Sequence, residues 1–185
     1  MPVRAPPSSP ASDVLEIFIE DHRKIIRFFD EFRRIKDHAD DETKQTLVEV
    51  TCTELVIHAQ IEEEFFYPAL REAFEDASLI DEADIEHEVA RQLISEMESM
   101  HPADHHYDAK FTVLGEYVRH HIEEEQNKIF VQIRQGGMDL DVLGKDLLQR
   151  RKDLRSEFGL PDEGYEEDED AGEHPHRSWR TPHHH

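Results

Sequence analysis

The chain has 185 residues, a single cysteine and a formal net charge of −23, from 21 basic and 44 acidic side chains. This length suits one domain with tails and is sufficient to bury a core, and the lone Cys52 excludes an intrachain disulfide. The negative charge repels a phosphate backbone, so we do not expect nucleic acid as a partner.

The sequence also gives expectations about location. No segment approaches the roughly 18 apolar residues of a membrane span, and the N-terminal residues lack the apolar run of a signal peptide. One unpaired cysteine fits a reducing compartment. We therefore expect a cytoplasmic protein without a membrane partner.

Residues 1–11, rich in proline and serine, are expected to form a flexible arm. The segment from Asp13 to Asp37 is predicted to form the first amphipathic helix, because its apolar residues recur at steps of three and four around a central histidine. That core-facing row comprises Leu15, Phe18, His22, Ile25, Phe29 and Phe32.

A second helix is predicted from Asp41 to Phe74, and Pro68 is expected to bend it. Its core-facing row again contains a histidine, here followed one turn later by a glutamate. The row comprises Val48, Thr51, Leu55, His58, Glu62, Phe65 and Ala69.

A third helix, from Leu79 to Met100, is predicted to end at Pro102. Its row comprises Ile80, Ala83, His87, Ala90, Ile94 and Met97.

A fourth helix, from Ala103 to Gln135, repeats the histidine and glutamate pair before the Gly136/Gly137 stop. Its row comprises Tyr107, Phe111, Leu114, Val118, His121, Glu125 and Ile129. A less apolar row through Val113, Tyr117, His120 and Glu124 remains an alternative.

A fifth, accessory helix is predicted over residues 138–158, and the acidic segment 159–185 is expected to be disordered. No strand-like alternation of useful length occurs. The predicted fold class is all-α: an up-and-down four-helix bundle over residues 12–136 with one additional C-terminal helix.

The polar residues on these core-facing rows indicate a metal site. A buried carboxylate needs a partner or a cation, and the helices can bring four imidazoles and two carboxylates to one level. Nitrogen and oxygen donors without thiolates favour two iron ions, with manganese as the alternative to iron. Glu62 and Glu125 are predicted to bridge the ions. The predicted metal ligands are His22, His58, Glu62, His87, His121 and Glu125.

Four motifs in this order resemble the hemerythrin-like family of cation-binding bundles, over roughly Asp13 to Arg134. They are DH in the first helix, H-x-x-x-E followed by FFYP in the second, EHE in the third and HHIEEE followed by IF in the fourth. The resemblance implies a non-haem di-iron centre, bridged by two carboxylates and usually by a solvent-derived oxygen, with an open position for a small molecule. It also implies His121 rather than His120 as the ligand.

The sequence departs from the oxygen-carrying members of that family at the third helix. They have a second histidine one turn from the first, whereas Ala83 and Arg91 lie four residues on either side of His87 here. Asp84 or water could fill the gap. Reversible oxygen carriage therefore does not follow from the resemblance, and Val131 replaces a proline that is common in the fourth helix.

These observations predict a protein that binds or responds to dioxygen, peroxide or nitric oxide, in sensing, storage or stress protection. The alternatives are an iron-handling regulator whose acidic tail binds a protein partner, and a peroxidase-like or iron-centre repair enzyme. The remaining histidines are interpreted as surface or terminal residues: His38, His101, His105, His106, His174, His176 and His183 to His185.

Overall fold

A computed structural model describes residues 10–161, with side chains from residue 14 onward. The helices are α1 (Pro10–Ile35), α2 (Asp41–Ile61), α3 (Tyr67–Ala73), α4 (Ser78–Glu98), α5 (Tyr107–Glu124), α6 (Phe130–Gly136) and α7 (Asp141–Glu157). A π-helical turn, Glu62–Phe66, joins α2 to α3, and a second, Glu125–Ile129, joins α5 to α6.

Four helical rods form the bundle: α1, α2–α3, α4 and α5–α6. Within the described range, α1 contacts both α2 and α5, while α4 contacts α5 and α2. Short connections between successive rods produce an up-and-down arrangement, and the described part of the chain contains no strand. The predicted all-α four-helix bundle with one additional helix is confirmed.

The helix ends follow local chemistry. The side chain of Asp40 caps α2 by accepting a hydrogen bond of 2.7 Å from the backbone N–H of Thr43. Gly137, with φ of 62°, adopts the left-handed conformation after α6. The α1 helix begins at Pro10, earlier than the predicted Asp13. The predicted arm (1–11) and tail (159–185) fall largely outside the described residues and stay predictions.

The core consists of two apolar clusters. One lies on the side of α7 and the other near the connection between α1 and α2. The first includes Phe18, Ile61, Phe66, Tyr67, Leu70, Phe130 and Ile133; the second includes Ile25, Phe29, Phe32, Leu55, Phe111, Leu114, Val118 and Ile122. Neither cluster contains the histidines of the predicted site, which form a polar layer between them.

The two π-helical turns shift the buried face by one residue. The backbone N–H of Tyr67 bonds to the carbonyl of Glu62, and that of Phe130 bonds to the carbonyl of Glu125. Each bond spans five residues instead of four, so one additional residue fits into the turn.

The shift in register places two side chains of the predicted core row at the edge of the core. Beyond Glu62 the predicted core row continued through Phe65 and Ala69, but both side chains are only half-buried. Phe66 and Leu70 are fully buried in their place. The prediction assumed an unbroken α-helical period, which the π-helical turn interrupts before Pro68 is reached.

The accessory helix α7 packs across α1, α2 and the turn Glu62–Phe66. Leu147 and Leu154 bury their side chains in the core cluster on this side. Gly144 permits the close approach, because a Cβ atom there would lie 2.8 Å from Cγ2 of Val14. Among the described residues, no helix is both long and apolar enough to span a bilayer.

Candidate metal centre

The six predicted ligands meet in the polar layer, and each of the four rods contributes at least one of them. Glu62 and Glu125 have no exposed surface, and His22, His58 and His87 are also buried. His121 is slightly more accessible, at 12% of its side chain. The ligand assignment itself stays a prediction, but the sequence correctly placed these residues at a common depth.

The first group consists of His22, His58 and Glu125. The Nε2 atoms of the two histidines lie 3.1 Å apart. Oε1 of Glu125 lies 3.3 Å from Nε2 of His22. One ligand atom from each residue therefore faces a common point between α1, α2 and the second π-helical turn.

The second group consists of Glu62, His87 and His121. The Nε2 atoms of its two histidines are again 3.1 Å apart. Oε1 of Glu62 lies 3.6 Å from Nε2 of His87 and 3.9 Å from Nε2 of His121. This group repeats the composition of the first: two imidazoles and one carboxylate.

Both carboxylates extend from one group to the other. Oε2 of Glu125 lies 3.4 Å from Nε2 of His121, while its Oε1 faces His22. Oε1 of Glu62 lies 3.0 Å from Nε2 of His58 in the opposite group. This is the placement expected of carboxylates that bridge two ions.

The donor atoms fit bound metal ions. With metal–nitrogen bonds of about 2.1 Å, two nitrogens at right angles on one ion lie about 3.0 Å apart. The two Nε2 pairs have nearly this separation. Within the described residues, both oxygens of Glu62 and Oε1 of Glu125 accept no well-aligned hydrogen bond despite their burial. Cations would supply the missing partners.

An acidic or amide side chain faces the outer nitrogen of each histidine. Nδ1 of His22 lies 2.7 Å from Oε1 of Gln126. Nδ1 of His121 lies 3.2 Å from Glu86. The corresponding distances are 3.6 Å from His58 to Asp21 and 3.8 Å from His87 to Glu63, longer than hydrogen bonds. Such partners orient the rings so that Nε2 is presented to a metal.

Tyr67 lies among the candidate ligands of the second group. Its hydroxyl donates a hydrogen bond of 2.8 Å to Oε2 of Glu125. The hydroxyl oxygen of Tyr67 also lies 3.4 Å from Nε2 of His87 and 3.4 Å from Nε2 of His121. Tyr67 is buried, and its hydroxyl makes a polar contact inside the layer.

Asp84 does not take the place of the missing histidine. Its side chain is 40% exposed and forms a salt bridge with Arg71 on the surface. The suggestion that it could turn toward the site is therefore wrong for this structure. Residues three apart lie close together on a helix surface, so the salt bridge to Arg71, and not the spacing from His87, accounts for its surface position.

Electrostatic interactions within the layer shift several pKa values. Burial opposes charge on His58, but Glu62 and Asp21 outweigh this effect and raise the pKa of His58 to about 10. Burial alone would raise the pKa of Glu62, yet the charge of His58 holds it well below its usual range. Burial and the charges of Glu125 and Glu62 raise the pKa of Tyr67, so its hydroxyl keeps its proton.

A cavity of about 40 Å³ adjoins the candidate ligands. The side chains of Ile25, Leu55, Ile94, Val118 and Ile122 make much of its wall apolar. Arg91 and Tyr117, which are exposed, also line it, so the cavity reaches toward the surface. Its volume suits one or two molecules of the size of water or a diatomic gas.

A family model described as the hemerythrin HHE cation binding domain matches residues 13–133, more than half of the chain. The chain belongs to this family. The resemblance seen in the sequence motifs is thereby confirmed, and membership in the hemerythrin HHE family implies metal binding. The two groups of histidine and carboxylate ligands fit that function. No curated protein and no solved structure matches the chain.

The hemerythrin-like bundle also separates the candidate ligands from the other histidines. His120 is exposed, whereas its neighbour His121 faces the layer. His38, His101, His105 and His106 are exposed as well. His174, His176 and His183 to His185 lie outside the described residues.

Sequence reasoning missed the side chains that support the ligands. Asp21 is buried beside His58, and its carboxylate binds Arg151 of α7. Glu86 contacts His121 from the neighbouring α4 helix. The DH and EHE motifs contained Asp21 and Glu86, but nothing in the linear pattern predicted which histidine each of them would meet.

Proposed function

We propose that this protein holds two iron ions, one at His22, His58 and Glu125 and the other at Glu62, His87 and His121. One observation carries the proposal: the two oxygens of the buried Glu125 face different histidine pairs. A single ion would not require that arrangement. Glu62 also approaches histidines of both groups and so supports a second bridge.

The donor set supports iron as the metal. It contains imidazole nitrogen and carboxylate oxygen without a thiolate, and Cys52 belongs to the apolar cluster that contains Phe29 and Phe111. Burial raises the pKa of the Cys52 thiol to about 12, which keeps it protonated. This chemistry favours iron or manganese over a closed structural zinc site.

We further propose that a small molecule such as dioxygen, peroxide or nitric oxide binds at the centre. The small, largely apolar cavity beside the ligands supports this choice, because its volume suits molecules of this size. Iron, when bound, would supply redox chemistry and an open coordination position. The chain contributes the apolar wall, the Tyr67 hydroxyl that holds Glu125, and the Glu86 carboxylate that orients His121. Sensing, storage or stress protection would follow from such binding.

Iron analysis of matched variants tests the metal assignment. All proteins carry alanine in place of His183 to His185, so that terminal histidines do not contribute metal. We expect about two irons per chain in the parent protein. Glu62→Ala and Glu125→Ala should each lose the paired centre, whereas the surface variant His105→Ala should retain it. Circular dichroism checks that every variant keeps its helices, and equal iron content in all four proteins would refute the assignment.

Spectroscopy of the iron-loaded protein tests the small-molecule proposal. Absorption spectra are recorded without oxygen, after exposure to air and after oxygen removal. A reversible change supports dioxygen binding, and sustained consumption of added peroxide supports an enzyme acting on peroxide. Spectra that do not respond to dioxygen, peroxide or nitric oxide would contradict small-molecule binding at the irons.

A further inference from the structure

Helix α7 lies beyond residues 13–133 that match the family, yet its arginines contact carboxylates near the metal centre. Arg151 binds Asp21 through two hydrogen bonds, of 3.1 and 2.6 Å. Arg155 donates a hydrogen bond of 2.8 Å to Glu54 on α2. The accessory helix is therefore connected to the bundle by specific charged contacts as well as by apolar packing.

Asp21 connects Arg151 to a candidate metal ligand. It precedes His22 on α1 and is buried, and its Oδ2 lies 3.6 Å from Nδ1 of His58. The guanidinium of Arg151 contacts both oxygens of the same carboxylate. A two-point arginine contact restricts a carboxylate in position and orientation. Arg151 thus fixes the group that faces the outer nitrogen of His58.

The position of Arg151 is itself fixed by the packing of α7. Leu147 and Leu154 are buried on either side of it along the helix. Gly144 brings the helix backbone close to Val14 of α1. Arg155, only 2% exposed, also binds the carbonyl oxygen of Pro161. These contacts leave little freedom for the α7 backbone to move away from Asp21.

The second metal group has a similar but more exposed arrangement. Glu63 lies 3.8 Å from Nδ1 of His87 and forms a salt bridge with Arg91. The side chain of Arg91 is 46% exposed, compared with 13% for that of Arg151. Water screens an exposed ion pair more strongly than a buried one. The contact from α7 should therefore influence its histidine more than the Arg91 contact does.

We propose that α7 is part of the metal centre, with Arg151 as a positioning residue that holds Asp21 against His58. This inference rests on the proposed binding of two metal ions. The contact between Arg151 and Asp21 then stabilises binding of the ion held by His22, His58 and Glu125. Loss of the contact between Arg151 and Asp21 lowers the affinity for that ion. The affinity for the ion held by Glu62, His87 and His121 stays nearly unchanged.

The test compares Arg151→Gln with Arg150→Gln in the full chain. Arg150 is a matched control, because it lies on the same helix and binds the surface residue Glu64 at 3.0 Å. Cobalt(II) serves as a spectroscopic probe, and competition with a chromophoric chelator gives the affinity of each of two binding steps. A His22→Ala variant identifies the step that belongs to the first group.

We expect Arg151→Gln to weaken that step by about 10- to 100-fold and to change the visible band of the corresponding cobalt ion. The other step should stay close to wild type, and Arg150→Gln should leave both steps unchanged. Arg151→Lys, which keeps the charge but not the two-point contact, should recover part of the lost affinity.

If both metal-binding steps of Arg151→Gln have wild-type affinity, the role assigned to Arg151 is wrong, while the proposed binding of two metal ions stands. Equal weakening of both steps would also overturn this role, because that result indicates a general loosening of the bundle. A wild-type protein that binds no metal would overturn the proposed function, and this inference with it.

Discussion

At the residue scale, the centre depends on buried polar groups that offset the cost of each other's burial. Glu125 has no exposed surface, and the Tyr67 hydroxyl satisfies its Oε2 atom. His22 and His121 approach its two oxygens from opposite groups. A buried carboxylate is costly without such partners, so Tyr67 contributes to the stability of the layer even before metal binds.

The Tyr67→Phe substitution tests this contribution in the metal-free protein. Removing the hydroxyl leaves Oε2 of Glu125 without its donor, which should lower the free energy of unfolding by about 1–3 kcal/mol. Urea unfolding measures the effect. The matched control is Tyr117→Phe, at a residue that is 46% exposed, and this substitution should change stability by less than about 0.5 kcal/mol. Equal stability of both variants would contradict a stabilising role for the Tyr67 hydroxyl.

Helical geometry predicts the six candidate ligands from the sequence, although on the fourth predicted helix it leaves the row through His120 as an alternative. Histidine and glutamate four residues apart share one face of a helix, and apolar neighbours show that the face is buried. The roles of Tyr67 and Asp21 were not predictable in this way. Their partners, Glu125 and His58, lie on other helices, so these contacts depend on how the rods pack.

At the element scale, the π-helical turns are the main departure from the predicted structure. Each begins at a candidate bridging glutamate, Glu62 or Glu125. Pro68 follows the first turn and removes a backbone donor there, but Val131 occupies the corresponding place after the second. A proline alone therefore does not account for both turns. Their shared position beside the ligands associates them with the metal centre.

The two phenylalanines of the first turn provide a direct test of its register. Phe66 is fully buried, so Phe66→Ala should destabilise the protein by about 3–5 kcal/mol. Phe65 is only half-buried, and Phe65→Ala should cost clearly less. Chemical denaturation of both variants measures the difference. A larger loss for Phe65→Ala would indicate the uninterrupted α-helical register that the sequence pattern suggested.

At the scale of the whole molecule, the bundle places a polar layer between two apolar clusters. The four rods, their order and the accessory helix could be predicted, because turn residues and apolar periodicity are local signals. The contact between α7 and Asp21 could not, since it joins residues that are distant in sequence. The layer weakens the core unless its carboxylates are neutralised, which couples metal binding to stability.

Metal removal should therefore lower the thermal stability of the whole bundle. At a free metal concentration about 1,000 times the dissociation constant, binding adds about 4 kcal/mol to the free energy of unfolding. Differential scanning calorimetry of metal-free and iron-loaded protein measures this gain. Glu125→Ala is the control and should show a much smaller iron-dependent rise in melting temperature. Identical melting curves for the wild-type protein with and without iron would contradict the coupling.

The most direct test of the two-ion centre is anomalous diffraction at the iron absorption edge from crystals of the iron-loaded protein. The account predicts two peaks inside the bundle. One lies among His22, His58 and Glu125, and the other lies among Glu62, His87 and His121. A single peak, or peaks at surface histidines with none in the layer, would contradict the account.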